Sequence, residues 1–302
     1  MIVVSDSKAL ECIQKNPNTR RHFLDRPRRI PGGINPDKNR RHMLGNLPVN
    51  HWRRMRRVLA PAFGSHNIAA MIESINSKVA TFMTLVDEKA DDEIEFYSLF
   101  QHLTLDIISN VALGIDSDMQ RNHNDILLQA VQAEFSKGIN GRLVKLYLCL
   151  PELSPLLSRF RELIHWMYER FGWTKPSALW QAGAEAVEHR RENCHLKSNH
   201  DLLFHLMNPE HGLTQTAIVA NTVLVYEAAY ETTSSCLAFL VHILAHRPRC
   251  QKKIRREIRR VSKFSADGLS SFTALQSLKY LEACIFEALR LFPTQTTFVG
   301  RS

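Results

Sequence analysis

Glycine is scarce in this sequence, at 12 of 302 residues, roughly half the ~7% usual in globular proteins. That argues against a fold built on glycine-rich loops that cradle nucleotides. No uninterrupted apolar run approaches the roughly 18 residues that span a bilayer. The opening Met1-Ile2-Val3-Val4-Ser5-Asp6 lacks the basic head and apolar length of a secretion signal, so a soluble intracellular chain is the expectation. The six cysteines, Cys12, Cys149, Cys194, Cys236, Cys250 and Cys284, show no paired spacing. That favours free thiols in a reducing compartment over a disulfide framework. Acidic residues fall short as well: 30 Asp and Glu face 39 Lys and Arg, a net charge of +9, which favours anionic partners such as nucleic acid, a membrane surface or an acidic protein.

What is present is a globular composition, 44% hydrophobic and 23% charged, long enough for one large domain or two ordinary ones. The basic excess is clustered at Arg20, Arg21, Arg26, Arg28 and Arg29 with Arg40 and Arg41, at Arg53, Arg54, Arg56 and Arg57, and at Lys252, Lys253, Arg255, Arg256, Arg259 and Arg260. Solvated helix faces account for such clusters as readily as a binding surface does. Pro17, Pro27, Pro31, Pro36 and Pro48 with Gly32 and Gly33 make residues 16–48 irregular. Beyond them the periodicity is helical. Helices are expected over 68–89, where Met71, Ile72, Ile75, Val79 and Phe82 form a stripe to be buried, and over 97–113 and 124–135. Only Ile2 to Val4 and Thr296 to Val299 alternate as strands do. The expected class is mainly α.

One predicted helix stands apart. Thr214 is a suitable N-cap, and the pattern runs to His246, where Arg247-Pro248 ends it. At 1.5 Å per residue this is roughly 50 Å, with Glu227 and Glu231 as its only formal charges. Such a helix belongs in the centre of a large protein. Its middle reads Ala228-Ala229-Tyr230-Glu231-Thr232-Thr233-Ser234-Ser235. Four Ser and Thr hydroxyls and an acid are costly to bury without partners, and such hydroxyls bond back to the preceding turn and bend helices.

Two further helices carry chemistry. His51 to Ala60 stops at Pro61 and places Trp52 and Arg56, four apart, on one face, where an indole N–H and a guanidinium hold an anionic group. Leu278 to Phe292 is amphipathic and ends at Pro293, with Glu287 and Arg290 three apart and able to pair.

The order Trp-x-x-x-Arg running into Pro61-Ala62-Phe63, then Ala-Ala-Tyr-Glu-Thr-Thr in a long helix, then Glu-x-x-Arg ending Leu289-Arg290-Leu291-Phe292-Pro293 closely resembles the cytochrome P-450 family of haem-thiolate monooxygenases. Leu103 to Ile108 followed by Ala112-Leu113-Gly114 is similar to the family's helix in that region. The resemblance implies a mainly α, cytochrome P-450-like domain over residues 1–302, incomplete at both ends. It implies haem as cofactor, with Trp52 and Arg56, and Arg301 beside them, binding its propionates. Glu231 and Thr232 correspond to the acid–alcohol pair that relays protons over the distal face of haem, and Glu287 and Arg290 to a buried structural pair. The implied partners are a small apolar organic substrate and an acidic NADPH-dependent reductase meeting the basic cluster at 252–260, with no nucleic acid. Secondary metabolism is the expected setting. The family is usually anchored at the endoplasmic reticulum membrane.

Several positions depart from the family's pattern. Ala229 and Val49 stand where glycines are usual. None of the six cysteines has the flanking glycines of the family's iron-binding loop, whose thiolate drives O–O cleavage. The chain is therefore expected to be inactive as written and, with its Glu287–Arg290 pair short of a third partner at a cost of about 3–5 kcal/mol, poorly stable alone. His189, Cys194, His195, His200 and His205 lie close in sequence but lack the tight spacing of a zinc site, so no metal is assigned. The alternative reading is a non-catalytic binder of nucleic acid or a membrane surface.

Overall fold

A computed structural model describes residues 6–15, 39–89, 91–122, 124–140, 149–171, 177–192, 201–264, 269 and 271–294. Both expected strands lie outside these residues; the described part contains helices and no strand. The chain divides into two compact units, residues 1–56 with 137–175 and 297–302, and residues 57–136 with 176–296. The fold is mainly α, as expected.

In the first unit, Asp6 opens helix α1 (Ser7–Lys15) by accepting the Ala9 N–H at 2.8 Å. Turns at Arg40–His42 and Leu44–Asn46 follow, tied by an Asn46 side-chain bond to the Arg40 carbonyl. Helix α2 (Val49–Leu59) starts here and crosses the division between the units.

The second unit is built around four helices. These are α3 (Ser65–Glu88), α4 (Phe96–Leu113), the start of α5 (Ile126–Asn140) and, later in the chain, the long helix. Glu95 caps α4 by accepting from Tyr97 and Ser98 N–H groups. At its other end Gly114 adopts φ 64°, a left-handed C-cap that only glycine takes cheaply. Beyond α6 (Ser154–Arg170), in the first unit, α7 (Ala178–Glu192) and α8 (Leu202–Met207) precede α9 (Gln215–Ala245). Thr214 caps α9 through its hydroxyl, bonded by the Ala217 N–H at 3.3 Å, as its sequence position predicts. Helices α10 (Pro248–Phe264), α11 (Phe272–Gln276) and α12 (Lys279–Leu291) complete the unit.

Helix α9 packs most extensively on α4 and also meets α7, α8, α10 and α12. Its approach to α7 is close enough that a Cβ on Gly183 would meet Val223 at 2.9 Å. Arg190 at the end of α7 reaches Asp201, the cap of α8, in a buried 2.6 Å ion pair. Phe82 stacks on Phe100 at 5.1 Å within a core shared with Leu99 and Leu103. Of the stripe expected on α3, Phe82 alone is buried, and Val79 is 36% exposed. Burial in α9 is uneven: Ala217 to Val223 are buried, while Ala228, Thr232, Thr233 and Phe239 are exposed. By length and composition Gln215–Ala245 is apolar enough to cross a membrane, which scanning for uninterrupted apolar runs does not reveal. Its buried Asn221 and Thr222 bond back to the carbonyls of Ala217 and Ile218, and the Tyr226 hydroxyl and Tyr230 carbonyl bond to Ser109 and Thr104 of α4.

Candidate functional site

The polar segment of α9 divides its side chains between two faces. Tyr226, Tyr230 and Ser234, four residues apart, are buried, and this stripe faces α4. Ser109 bonds the Tyr226 hydroxyl at 3.3 Å, and Thr104 bonds the Tyr230 carbonyl at 3.4 Å. Ser234 returns its hydroxyl to the Tyr230 carbonyl at 2.6 Å. Burial pushes both tyrosines up, Tyr230 to about 12, so both stay neutral across the physiological range.

Glu231 follows this stripe toward α4. Its carboxylate accepts the Tyr97 hydroxyl at 2.5 Å and the Gln101 amide at 3.3 Å. Burial, then the bond to Glu231 and its charge, raises the Tyr97 phenol well above its ordinary value. The proton therefore stays on Tyr97, and the carboxylate is held as an acceptor. Thr232, one residue on and turned by about 100°, is exposed. Its hydroxyl donates to the Ala228 carbonyl at 2.6 Å. Since a hydroxyl has one proton and two lone pairs, that bond leaves Thr232 an acceptor toward anything placed over it. The acid and the alcohol are neighbours in sequence whose hydrogen bonds go to different partners.

Tyr97 and Gln101 are functional neighbours that the sequence reading does not single out. Tyr97, Gln101 and Thr104 recur at i, i+4 and i+7 on α4, a polar line along one face of the helix. That line is a visible signal, but its partner 134 positions away is not.

In the first unit, Trp52 is half-buried and Arg56 is exposed, with the guanidinium carbon 5.7 Å from the indole centroid. The i, i+4 spacing thus produces the shared face expected of an anion clamp. A planar, always-charged guanidinium steadied by an aromatic ring suits a carboxylate such as a haem propionate. Arg301 lies outside the described residues, as do Cys194, His195 and His200. Among the described residues no group of three His, Cys, Asp or Glu side chains is placed to hold a metal ion.

A thiolate donor is harder to find. Burial pushes the thiols of Cys236 and Cys284 up, the opposite of what an iron ligand needs. Cys12 and Cys149 are exposed. The raised thiols of Cys236 and Cys284 do not fit a haem-thiolate ligand.

Glu287 and Arg290 form a bidentate pair, with both bonds at 2.7 Å. The Arg290 bond holds the Glu287 carboxyl below its usual range. The pair is not buried, however: the side chains of Arg290 and Glu287 are 67% and 54% exposed. The burial penalty expected from sequence does not apply to a pair in water. On α10 the six Lys and Arg residues from Lys252 to Arg260 are all exposed, a solvated basic face.

The family model that describes cytochrome P450 matches residues 1–302. The chain is 27% identical over 274 residues to cytochrome P450 3A30 of Fundulus heteroclitus, covering 84% of this chain and 53% of the relative. It is 25% identical over 278 residues to cytochrome P450 3A40 of Oryzias latipes, covering 84% and 53%. A putative cytochrome P450, CYP13A4 of Caenorhabditis elegans, is 26% identical over 289 residues, covering 85% and 54%. The chain spans about half the length of the curated relatives it matches. With the order of its helical motifs and a family match over its whole length, the chain belongs to the cytochrome P450 family.

Proposed function

We propose that this chain forms part of a haem-dependent monooxygenase acting on a small apolar organic substrate, with electrons supplied by an acidic NADPH-dependent reductase. Bound haem supplies the activation of O2 that inserts one oxygen atom into the substrate. The observation that carries the reading is the bonding of Glu231 and Thr232: a carboxylate held by Tyr97 and Gln101 beside an exposed hydroxyl whose proton is committed to Ala228. Thr232 accepts a hydrogen bond from a group above it. Glu231 stands next to that residue in the helix, and Tyr97 and Gln101 hold its side chain in place. Trp52 and Arg56 hold a propionate. The exposed basic face of α10 attracts the reductase, and secondary metabolism is the proposed setting.

The same reading makes the 302-residue chain a poor oxygenase on its own, because none of its six cysteines has the flanking glycines of the family's iron-binding loop and burial raises the thiols of Cys236 and Cys284. A haem titration followed by absorbance tests the first part: Arg56→Ala should weaken haem binding several-fold, and unchanged affinity would sink the clamp. Reduction under carbon monoxide tests the second. A thiolate-type Soret shift in the 302-residue chain would show that one of its own cysteines ligates iron and would overturn that part.

A further inference from the structure

We propose that Cys250 on α10 and Cys284 on α12 form a single dithiol, which hydrogen peroxide closes to a disulfide that ties the two helices together. The proposal is independent of haem and of the monooxygenase reading.

The register of the two helices brings the thiols together. Glu257 on α10 accepts the Tyr280 N–H at 2.8 Å and the Leu281 N–H at 3.0 Å, fixing the start of α12 against the middle of α10. Four residues before Glu257, the Lys253 ammonium lies 5.4 Å from the Tyr280 ring centroid. Three residues earlier again is Cys250. Positions 250, 253 and 257 share one face of α10, and positions 280 and 284 share one face of α12. Continuing along α12 therefore leads back along α10, from Glu257 past Lys253 to Cys250.

The groove confirms that direction. Cys250 and Cys284 both line a cavity of about 580 Å³ whose wall also includes Tyr280, Ala283 and Glu287 from one side and His246 and Arg247 from the other. Helices packed about 8–10 Å apart, each with Cα atoms about 2.3 Å from its axis, leave facing Cα atoms roughly 3.4–5.4 Å apart at closest approach. Disulfides need about 4.4–6.8 Å. The Tyr280 phenol meets both thiols, and its contact with Cys250 is the first cause of its raised pKa of about 12. Both cysteines are free and only half-buried, so a small oxidant reaches them.

The chemistry balances. One thiol, as thiolate, attacks a peroxide oxygen; the O–O bond breaks, a sulfenic acid forms, and the leaving hydroxide takes up the thiol's proton as water. The second thiol attacks the sulfenic sulfur, the S–S bond forms, and a second water departs. Two thiols lose two electrons in total and one peroxide becomes two waters.

The test oxidises the 302-residue chain with hydrogen peroxide, blocks remaining thiols, and maps disulfides by mass spectrometry without reduction. The Cys250–Cys284 linked peptide should be the dominant disulfide among the six cysteines. It should disappear in Cys250→Ser and in Cys284→Ser. In urea, where the helix register is lost, the same treatment should scatter the pairing. If Cys250 and Cys284 stay unlinked in the native chain, or link to other cysteines as often as to each other, the proposal is wrong. The native wild-type map decides the matter even if a serine variant fails to fold.

Discussion

Tyr97 and Glu231, 134 positions apart, are joined by a 2.5 Å hydrogen bond between α4 and α9. A bond to a charged acceptor contributes about 1.5–3 kcal/mol when buried. Tyr97 is only partly buried, so solvent screening reduces the expected loss in Tyr97→Phe to about 1 kcal/mol. Gln101→Ala, which removes the longer 3.3 Å bond, should cost less. Urea unfolding of Tyr97→Phe, Glu231→Gln and the double variant should show coupling above about 0.5 kcal/mol. Strict additivity would mean that the two groups do not interact in solution.

Helix positions were legible in the sequence because they depend on local signals. Thr214 marks a helix start by its own chemistry, and Trp52 and Arg56 share a face through spacing alone. The partners of Glu231 were not legible. A carboxylate in the middle of a helix announces a need for donors, but Tyr97 and Gln101 supply them through tertiary packing that no local pattern encodes. The exposure of Glu287 and Arg290 was missed for the same reason. Their three-residue spacing fixes the pair, but it carries no information about what covers it.

Gly183 is a position where close packing is the sole demand. Its missing Cβ would sit 2.9 Å from a methyl of Val223, itself 0% exposed. Alanine gains about 1 kcal/mol of helix propensity there, but overpacking costs about 1–3 kcal/mol. Gly183→Ala should therefore leave the protein unchanged to about 2 kcal/mol less stable, and Val223→Ala in the same chain should recover part of any loss. Denaturant midpoints of the single and double variants check this. A Gly183→Ala protein clearly more stable than the wild type would show that α7 and α9 are not packed this closely.

Alkali should unfold the protein through the tyrosine stripe. Tyr226 and Tyr230 have hydroxyls raised above the ordinary value of 10 by burial, Tyr230 to about 12. The folded state thus keeps protons that the unfolded state gives up. Their contribution is fully present below pH 10 and is lost as pH rises from 10 through the folded values. Unfolding followed by circular dichroism between pH 9 and 12 should show falling stability, with tyrosinate absorbance lagging until the fold is lost. Tyr226→Phe should flatten that fall even if it lowers stability at neutral pH. An equal slope in the variant would place the titration elsewhere.

The Glu287–Arg290 pair gives the opposite expectation. Buried ion pairs that lose a partner are strongly destabilised, because one charge is left stranded in a low dielectric. Here both side chains are more than half exposed, so water solvates whichever charge remains. The Arg290 bond still depresses the Glu287 carboxyl. The sign follows from that: its contribution exists above the usual carboxylate range and fades as pH falls through the lowered folded value. Glu287→Gln and Arg290→Gln should leave the denaturant midpoint of the 302-residue chain unchanged within error at pH 7. Loss of cooperative unfolding in either variant would mean the pair is covered in solution, and the burial penalty read from sequence would then apply after all.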